Sequence, residues 1–422
     1  MTLLKALGGT SDILPEEAQR WQLLESQARR VLELYGYQEI RTPLIEEASV
    51  FTSSLGEAAE IVTKQMYLFQ DRGGRSVALR PEGTASVVRA FIEHGLDKTA
   101  GLSRFYYVGP MFRAERPQAG RRRQFHQLGV EVFGSASPYQ DVETLRLLTR
   151  LLEVWSIKGW SLRINSLGHR ADRPAIIEHV RAKLAPHRAQ LCEDCQVRLE
   201  KNPLRILDCK EPGCHRLSAG IDVFEAVCEA CKDHFTRVTE TLKSLKVPFE
   251  RDPHLVRGLD YYTRTAFEVV HGSLGAQNAI GGGGRYDDLV QLMGGSPVPA
   301  IGFAVGLERV LMAQEAGSAA VPEGRLLKAF VATVTPAQIP AALEVVEMLR
   351  NNEIAASVNL EERPLKRQLE QAAKLVSSGY VLILGEEEVA KGIVTLREMS
   401  SGKQDQVPKF EIVNEIKRRS GV

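Results

Sequence analysis

One stretch of the sequence decides the fold: FYYVGPMFRAERPQAGRRRQFHQLGVEVFG, Phe105–Gly134. It opens with an extended run, Phe105–Glu115, and closes with a second one, Gln124–Phe133. Between the two runs lies a basic loop that contains a proline and a glycine, Arg116–Arg123. Strand-forming runs separated by turn-forming residues predict two strands joined by a loop.

The returning strand is predicted to present one chemically mixed face. Because successive side chains of a strand point to opposite sides, one side carries a ring, an amide, a glycine and a carboxylate: Phe125, Gln127, Gly129 and Glu131. The other side is mostly apolar and fits a hydrophobic core. A solvent-exposed strand would show the same alternation. The arginine-rich loop and Arg113 on the outgoing strand favour instead a site for a planar, anionic ligand.

The composition is that of an ordinary soluble globular protein. The chain has 422 residues, of which 44% are hydrophobic and 25% are charged; at about 150 residues per domain, this length predicts two or three domains. The 54 basic and 53 acidic residues give a net charge of +1, so bulk charge neither favours nor excludes a nucleic-acid partner. We find no apolar run of the roughly 20 residues that a membrane span needs, and we expect no signal peptide.

Outside the deciding stretch, the sequence divides into a core, an insertion and a C-terminal part. Apolar residues spaced by three and four predict a helix over Pro15–Tyr35. The segment Gly168–Phe249 is typical of charged helices and contains all six cysteines. Small residues and a proline indicate a boundary near Ala316–Arg325.

Beyond that boundary, predicted strands alternate with predicted helices. The strands are Ala329–Val334, Ala356–Val358 and Val381–Leu384, and the helices are Ile339–Leu349 and Leu365–Ser377. This alternation predicts a compact α/β domain with a partly parallel sheet.

Several motifs resemble those of class II aminoacyl-tRNA synthetases. FRAER, the loop after it and QFHQLGVEVFG resemble motif 2 of that class in its histidyl form. Two further segments resemble motifs 1 and 3: RTPLIEEASVF, Arg41–Phe51, and PAIGFAVGLERVLM, Pro299–Met312. Three signatures narrow the resemblance to the histidyl-tRNA synthetase family: ALRPEGTASVVRA, Ala78–Ala90; LVRGLDYYTRTAFE, Leu255–Glu268; and GGGGRYDDL, Gly281–Leu289. The resemblance covers essentially the whole chain.

This resemblance implies an α+β fold class and a division of the chain. A class II catalytic domain would occupy residues 1–324, with an antiparallel sheet flanked by helices and a helical, cysteine-rich insertion at about 170–250. An α/β anticodon-binding domain would occupy residues 325–422. The resemblance also implies a homodimer formed through motif 1, since such homo-oligomers are usually closed and symmetric.

The resemblance further implies a reaction that joins L-histidine to tRNA(His). Histidine and ATP would give histidyl-adenylate and pyrophosphate, and the histidyl group would then pass to the 3′ end of the tRNA, releasing AMP. Mg²⁺ would accompany ATP, and we expect a cytoplasmic location without membrane association. The alternative is a catalytically silent paralogue, the regulatory subunit of ATP phosphoribosyltransferase, which should lack the C-terminal domain. Another class II synthetase is disfavoured by RGLDYY and GGGGRYDDL.

Match to the family's motifs assigns the residues of the ATP site. The catalytic residues would be Arg113, which binds the α-phosphate, Arg309, which binds the γ-phosphate, and Arg257, which contacts the α-phosphate and the histidine carboxylate. Phe125 would stack on adenine, with Glu115 near the adenine amino group. Guanidinium suits these tasks because it stays ionised and can donate to two oxygens at once.

The histidine site implied by the same match comprises Glu82, Gly83, Thr84, Gln127, Glu131, Arg257, Tyr261, Tyr262 and Tyr286. Glu82 would pair with the α-amino group, while Glu131 and Tyr262 would meet the two ring nitrogens of the imidazole. A site that hydrogen-bonds both nitrogens can reject analogues by a factor of roughly 10⁴–10⁵. The alternative for Glu131 is a structural ion pair with a nearby arginine.

The glycine run Gly281–Gly284 lacks the Gly-Lys-Ser/Thr of a P-loop and the context of a dinucleotide-binding fingerprint. The resemblance implies that the backbone here comes close to the adenylate. A surface turn is the alternative.

The six cysteines predict reduced thiols or a metal site rather than a disulfide framework. Two CxxC pairs are predicted to hold one structural zinc ion, with two further cysteines, Cys209 and Cys214, as rival ligands. The predicted ligands are Cys192, Cys195, Cys228 and Cys231. Free buried thiols and redox pairing are the alternatives.

Overall fold

The computed structural model describes residues 3–55, 61–99, 101–115, 121–256, 261–275, 278–316, 327–376 and 379–420. The chain forms two compact units, Met1–Ala320 and Val321–Val422. The predicted boundary near Ala316–Arg325 lies almost entirely outside the described residues, so the predicted division at residue 324 stays a prediction. Among the described residues, every helix is too short or too polar to traverse a bilayer.

The first unit combines a large sheet with helices on both of its faces. Its strands are β1 (Gln38–Glu39), β2 (Ile45–Glu47), β3 (Tyr67–Gln70), β4 (Ser76–Leu79), β5 (Ser103–Phe112), β6 (Gln124–Phe133), β7 (Trp160–Ser166), β8 (Glu250–Arg251), β9 (Thr263–His271), β10 (Ala279–Arg285) and β11 (Ala300–Gly306). Its helices are α1 (Pro15–Leu34), α2 (Ala48–Leu55), α3 (Thr84–Glu93), α4 (Pro138–Val154), α5 (Arg173–Leu184), α6 (Glu193–Lys201), α7 (Pro212–Ser218), α8 (Glu229–Ser244), α9 (Leu289–Leu292) and α10 (Leu307–Ala316).

The large sheet has the strand order β1-β5-β6-β11-β10-β9-β7-β8. The pairs from β5 through β7 are antiparallel, whereas both edge pairs, β1 with β5 and β7 with β8, are parallel. The predicted antiparallel sheet is therefore confirmed for its interior, and the sheet as a whole is mixed. Parallel pairing needs a crossover, and between β7 and β8 that crossover is the insertion together with α8.

The two strands predicted on either side of the basic loop are β5 and β6, which are adjacent in the sheet. Ser103 pairs with Phe133 at one end of the ladder and Phe112 pairs with Gln124 at the other. The alternation predicted for β6 is confirmed. Leu128, Val130 and Val132 lie in the core on one side of the sheet, while Phe125 packs against the core on the other side.

Apolar layers cover both faces of this sheet. One layer is formed by α1, α4, α8 and α10, and the other is formed by α2, α3 and α9. Helix α1 confirms its prediction: Trp21, Leu24, Ala28 and Val31 are buried, and Gly36, just beyond the helix, adopts a φ of +74° that favours glycine. A small sheet, β2-β4-β3, adjoins α2.

The insertion leaves the large sheet after β7 and returns to it through α8. As predicted, it is helical, consisting of α5, α6 and α7 with short 3₁₀ turns. It has a small apolar core of its own, which includes Cys195, Cys209, Cys214 and Cys231.

The second unit is an α/β domain. Its strands are β12 (Ala329–Thr333), β13 (Ala356–Val358), β14 (Tyr380–Leu384), β15 (Ile393–Glu398) and β16 (Gln404–Pro408), and its helices are α11 (Ile339–Asn351), α12 (Leu365–Leu375), α13 (Glu386–Lys391) and α14 (Ile412–Ser420). The sheet order is β13-β12-β14-β15-β16, parallel among the first three strands and antiparallel beyond them. The partly parallel sheet is thus confirmed. The elements after β14 were not predicted, and the predicted end of α12, Ser377, lies outside the described residues.

Candidate active site

A cavity of 990 Å³ opens on the face of the large sheet that carries Phe125 and Gln127. This volume lies at the upper end of the range of small-molecule sites. Most of the predicted site residues line it: Glu82, Thr84, Arg113, Glu115, Phe125, Gln127, Tyr261, Tyr262, Tyr286 and Arg309. Gly83 and Glu131 lie behind its wall, and Arg257 lies outside the described residues.

Arg113 lies just after β5, beside the ring of Phe125. Its guanidinium carbon lies 5.1 Å from the ring centroid, and its Nε donates a hydrogen bond of 2.9 Å to the carbonyl of Pro81. Burial lowers the pKa of Arg113, but a guanidinium keeps its proton at neutral pH. The site therefore holds a cation next to an aromatic plane, an arrangement that suits a nucleotide.

Two more arginines add positive charge to the same cavity. Arg309, in the first turn of α10, donates through Nη1 to the carbonyl of Ala279 at 2.5 Å, and burial lowers its pKa. Arg121, from the basic loop, pairs with Glu115 at 3.1 Å. Arg121 was predicted only as part of the basic loop and not as a site residue. The run of three arginines, Arg121–Arg123, was the feature that could have indicated it.

Glu82 is held at the N-terminus of α3. Its carboxylate accepts hydrogen bonds from the backbone N–H groups of Thr84 at 2.7 Å and Ala85 at 2.8 Å, and burial raises its pKa. Amides at a helix N-terminus favour a carboxylate. Since each carboxylate oxygen has two lone pairs, Glu82 can still accept from a ligand at the cavity wall.

Glu131 lies one layer below the cavity, and only 1% of it is exposed. Thr84 donates to it through Oγ1 at 2.7 Å, and the hydroxyl of Tyr286 donates to its other oxygen. Burial raises the pKa of Glu131 and the two hydrogen bonds lower it; burial is the larger effect, and the pKa is about 8. Its hydrogen-bond partners among the described residues are thus hydroxyl groups rather than arginines, which disfavours the ion-pair alternative.

Tyr107 is a lining residue that the sequence analysis missed. Its ring is buried between two glycines. A Cβ added at Gly83 would lie 2.3 Å from the ring, and one added at Gly129 would lie 2.2 Å from it. Only glycine fits at these two positions, because any side chain would clash with the ring of Tyr107. The sequence did contain one indication of this position, because Tyr107 and Phe105 are two residues apart on the outgoing strand and so face the same side of the sheet.

The predicted tyrosines cluster at one side of the cavity. The ring centroids of Tyr261 and Tyr262 lie 4.7 Å apart, and those of Tyr261 and Tyr286 lie 5.7 Å apart. They shape an aromatic wall next to the Glu82 carboxylate.

The glycine run Gly281–Gly284 lies within β10, in the middle of the large sheet. The surface-turn alternative is therefore wrong. Gly281 and Gly282 line the cavity, and a Cβ at Gly283 would lie 2.0 Å from the carbonyl oxygen of Gly302 on β11. Glycines here let two strands and the cavity floor come close together.

The insertion supplies a second wall that the sequence did not predict. Cys209, Lys210 and His215 from the insertion line the cavity, together with His254. His254 Nε2 lies 2.8 Å from the carbonyl oxygen of Ser218, which links the insertion to the chain that returns to the sheet.

The cysteines group differently from the prediction. The first CxxC pair joins the two rival ligands, giving Cys192, Cys195, Cys209 and Cys214, whereas the second pair joins a histidine and an aspartate, giving His169, Asp172, Cys228 and Cys231. The predicted single site of four CxxC sulfurs is wrong. The two pairs begin different helices, α6 and α8, and each helix faces its own partners.

Comparison with known proteins gives similarity over both units. A family profile described as histidyl-tRNA synthetase matches residues 9–310, and one described as anticodon binding domain matches residues 328–419. The chain is 48% identical to a histidine–tRNA ligase of Moorella thermoacetica over 96% of each chain. It is 45% identical to one of Natranaerobius thermophilus over 99% of this chain and 100% of that protein. A crystal structure of S. aureus histidyl-tRNA synthetase superposes with a TM-score of 0.83 and 32% identity, covering 98% of this chain and 100% of that one.

Proposed function

The chain belongs to the histidyl-tRNA synthetase family, and on that basis we propose that it ligates L-histidine to tRNA(His) in two steps. In the first step the histidine carboxylate attacks the α-phosphorus of ATP, and pyrophosphate leaves. In the second step a hydroxyl of the terminal ribose of the tRNA attacks the histidyl carbonyl, and AMP leaves. The observation that carries this proposal is that residues from five separated motifs meet in one cavity.

The first step needs positive charge more than it needs a base, because negative charge gathers around a crowded phosphorus in the transition state. We assign the α-phosphate to Arg113 and the γ-phosphate to Arg309. Both are half-buried arginines of the cavity wall. Phe125, beside Arg113, would stack on adenine, with Glu115 near the adenine amino group. Arg257 completes the set by resemblance alone.

Histidine would lie over the aromatic wall. Glu82 would accept from the α-amino group, assisted by Thr84 and Gln127. A buried amide oxygen of Gln127 that lacks a partner among the described residues supports this role. Tyr262 and Glu131 would meet the two imidazole nitrogens, and Thr84 and Tyr286, which donate to Glu131, would hold its carboxyl group in place.

Magnesium would accompany ATP, since Mg²⁺ prefers oxygen ligands and usually binds through substrate phosphates and one or two carboxylates. One carboxylate that lines the cavity near Arg309, that of Glu268, has the required chemistry. The metal would offset phosphate charge, while the arginines orient the reacting groups.

The second unit would bind the anticodon of the tRNA, as its family match indicates. The same match argues against the regulatory-subunit alternative, which should lack this unit. Relatives that are histidine–tRNA ligases over nearly their full length argue the same way.

A homodimer would form through the motif 1 segment. Two large apolar side chains of this segment, Leu44 and Ile45, are 41% and 51% exposed. An open groove beside them has a mixed lining of apolar and charged side chains: Pro43, Val50, Ile92, Met293, Glu46, Glu47, Arg89 and Glu93. Burial of such surface stabilises a C2 interface. Sedimentation of the purified protein would measure this state. A cytoplasmic location follows from the tRNA substrate and stays a proposal.

Histidine-dependent exchange of labelled pyrophosphate into ATP tests the first step, and charging of a tRNA(His) transcript tests the second. We expect both activities, with no exchange when other amino acids replace histidine. Arg113→Ala should lower exchange by roughly 10²–10³, the usual effect of removing one charge-stabilising donor. Arg146→Ala, which removes a surface arginine paired with Glu153, is the control. Absence of histidine-dependent exchange in the folded wild-type protein would refute the proposal.

A further inference from the structure

The six cysteines converge at two places that the proposed reaction does not use. The four-cysteine cluster consists of Cys192, Cys195, Cys209 and Cys214, and the mixed cluster consists of His169, Asp172, Cys228 and Cys231. Within each cluster the four candidate ligand atoms all lie within 4.8 Å of one another. We propose that each cluster binds one zinc ion, so that the chain carries two structural zinc sites, one inside its insertion and one at the base of it.

The spacing in the four-cysteine cluster fits tetrahedral zinc. A Zn–S bond of about 2.3 Å gives an S–S edge of about 3.8 Å in a tetrahedron, and the sulfurs of Cys192 and Cys209 lie 3.9 Å apart. A disulfide would need about 2.05 Å. The backbone N–H of Cys192 also donates to the sulfur of Cys214 at 3.3 Å. Hydrogen bonds to ligand atoms of this kind orient them toward a metal.

The local fold also favours thiolates at this cluster. Cys192 immediately precedes α6 and Cys195 lies in its first turn, where helix amides favour an anionic sulfur. Cys214 lies in α7. Helices of nine and seven residues are too short to be stable alone, and a core as small as that of the insertion gains most from a metal that joins its elements.

The mixed cluster fits zinc by independent distances. With a Zn–N bond of about 2.05 Å and a Zn–S bond of about 2.3 Å, a tetrahedral N–S edge is about 3.6 Å. His169 Nδ1 lies 3.6 Å from the sulfur of Cys231 and 3.8 Å from that of Cys228. A carboxylate oxygen of Asp172, 2.7 Å from the same nitrogen, supplies the fourth ligand. Zinc coordination would replace that hydrogen bond and widen the distance between these two atoms to a tetrahedral edge of about 3.4 Å.

The position of the mixed cluster indicates its task. His169 and Asp172 follow the end of β7, where the chain enters the insertion, whereas Cys228 and Cys231 begin α8, where the chain returns to the core. A zinc ion here would join the two ends of the insertion. The four-cysteine cluster lies inside the insertion, and Cys209 also lines the candidate active site, so its zinc would fix the wall that faces the cavity.

Metal analysis of the full-length protein tests the proposal. Protein prepared without a polyhistidine tag and without added zinc should contain two zinc ions per chain by mass spectrometry. Cys209→Ser and Cys231→Ser should each lower this content to one. Ser218→Ala is the matched control, because Ser218 is buried in the insertion but belongs to neither cluster, and it should keep both ions. Cobalt substituted at both sites should give the absorption of tetrahedral thiolate-bound Co²⁺.

The wild-type content decides the matter even where a variant fails to fold. One zinc ion or none per chain, or iron in place of zinc, would overturn the proposal. Two ions retained in both cysteine variants would overturn the ligand assignment. None of these results depends on pyrophosphate exchange, so they leave the proposed function to its own test.

Discussion

Replacing Glu131 by glutamine tests the basis of histidine recognition. Glu131 is buried, accepts hydrogen bonds from Thr84 and Tyr286, and has a pKa that burial raises to about 8. At pH 7 the carboxyl is therefore mostly protonated, with about a tenth of it ionised. Glutamine keeps the shape and the neutral state but can never become an anion.

The magnitude follows from this ionisation. A hydrogen bond from the imidazole N–H to the carboxylate is worth roughly 1.5–3 kcal/mol, which is a factor of roughly 10–100 in kcat/KM. At pH 7 the carboxyl group must first lose its proton, which costs about 1.4 kcal/mol and reduces the net gain from this hydrogen bond by that amount. We therefore expect Glu131→Gln to lower kcat/KM for histidine by about 1- to 10-fold at pH 7. Between pH 7 and 8.5 the ionised fraction of the wild-type group grows about eightfold, and the loss should grow with it. The KM for ATP should hardly change.

The same substitution has an expected effect on stability. Folded Glu131 keeps its proton up to about pH 8, whereas the unfolded residue releases it near 4.5. The folded state thus binds more protons in this interval, and the free energy of unfolding of the wild-type protein falls as pH rises through it, by about 3 kcal/mol between pH 5 and 7.5. Glu131→Gln should lack this fall.

Steady-state kinetics of Glu131→Gln across pH 7–8.5 measure the first effect, and urea unfolding across pH 5–7.5 measures the second. Asp97→Asn is the matched control: Asp97 is a buried carboxylate outside the cavity that accepts from the backbone of Ser296 at 2.8 Å, and it should leave histidine kinetics alone. Histidine kinetics that match the wild type at pH 8.5 would refute the ligand role. Lower stability with unchanged kinetics would make Glu131 a structural brace.

Three further predictions concern other parts of the molecule. Arg257→Ala should lower adenylate formation by roughly 10²–10³ with a much smaller change in substrate affinity; pyrophosphate exchange at the wild-type rate would remove Arg257 from the mechanism. A chain ending near Gly324 should keep some histidine-dependent exchange but charge tRNA poorly, and unimpaired charging would contradict anticodon binding by the second unit. Asp141→Asn should lower the free energy of unfolding by about 3–5 kcal/mol, because it leaves the fully buried guanidinium of Arg285 partly unpaired; a loss under about 1 kcal/mol in urea unfolding would contradict this.

The local elements of this protein could be predicted because their signals are short in range. The spacing of Trp21, Leu24, Ala28 and Val31 encodes α1 directly, since a helix repeats every 3.6 residues. The alternation in Gln124–Phe133 likewise encodes β6 and its two faces. Edge strands β1 and β8, of two residues each, carry too little pattern to be recognised.

The site could be predicted residue by residue, but not its layering. Motif matches found ten residues of the cavity wall, yet they also placed Glu131 at the wall, and only the packing of Thr84 and Tyr286 over it determines that it lies one layer below. Tyr107 was missed because its position depends on the glycines of two other elements, α3 and β6. No local pattern encodes a ring that fills a gap made by distant segments.

The cysteines separate most clearly what the sequence determines from what only the tertiary structure decides. The sequence determines that two CxxC pairs exist. When such a pair begins a helix, both of its sulfurs lie on the same side of that helix. The sequence does not determine which further ligands each pair meets. That choice depends on where α6 and α8 lie, and burial of apolar side chains between distant segments fixes those positions. Packing therefore brought Cys209 and Cys214 to the first pair and His169 and Asp172 to the second.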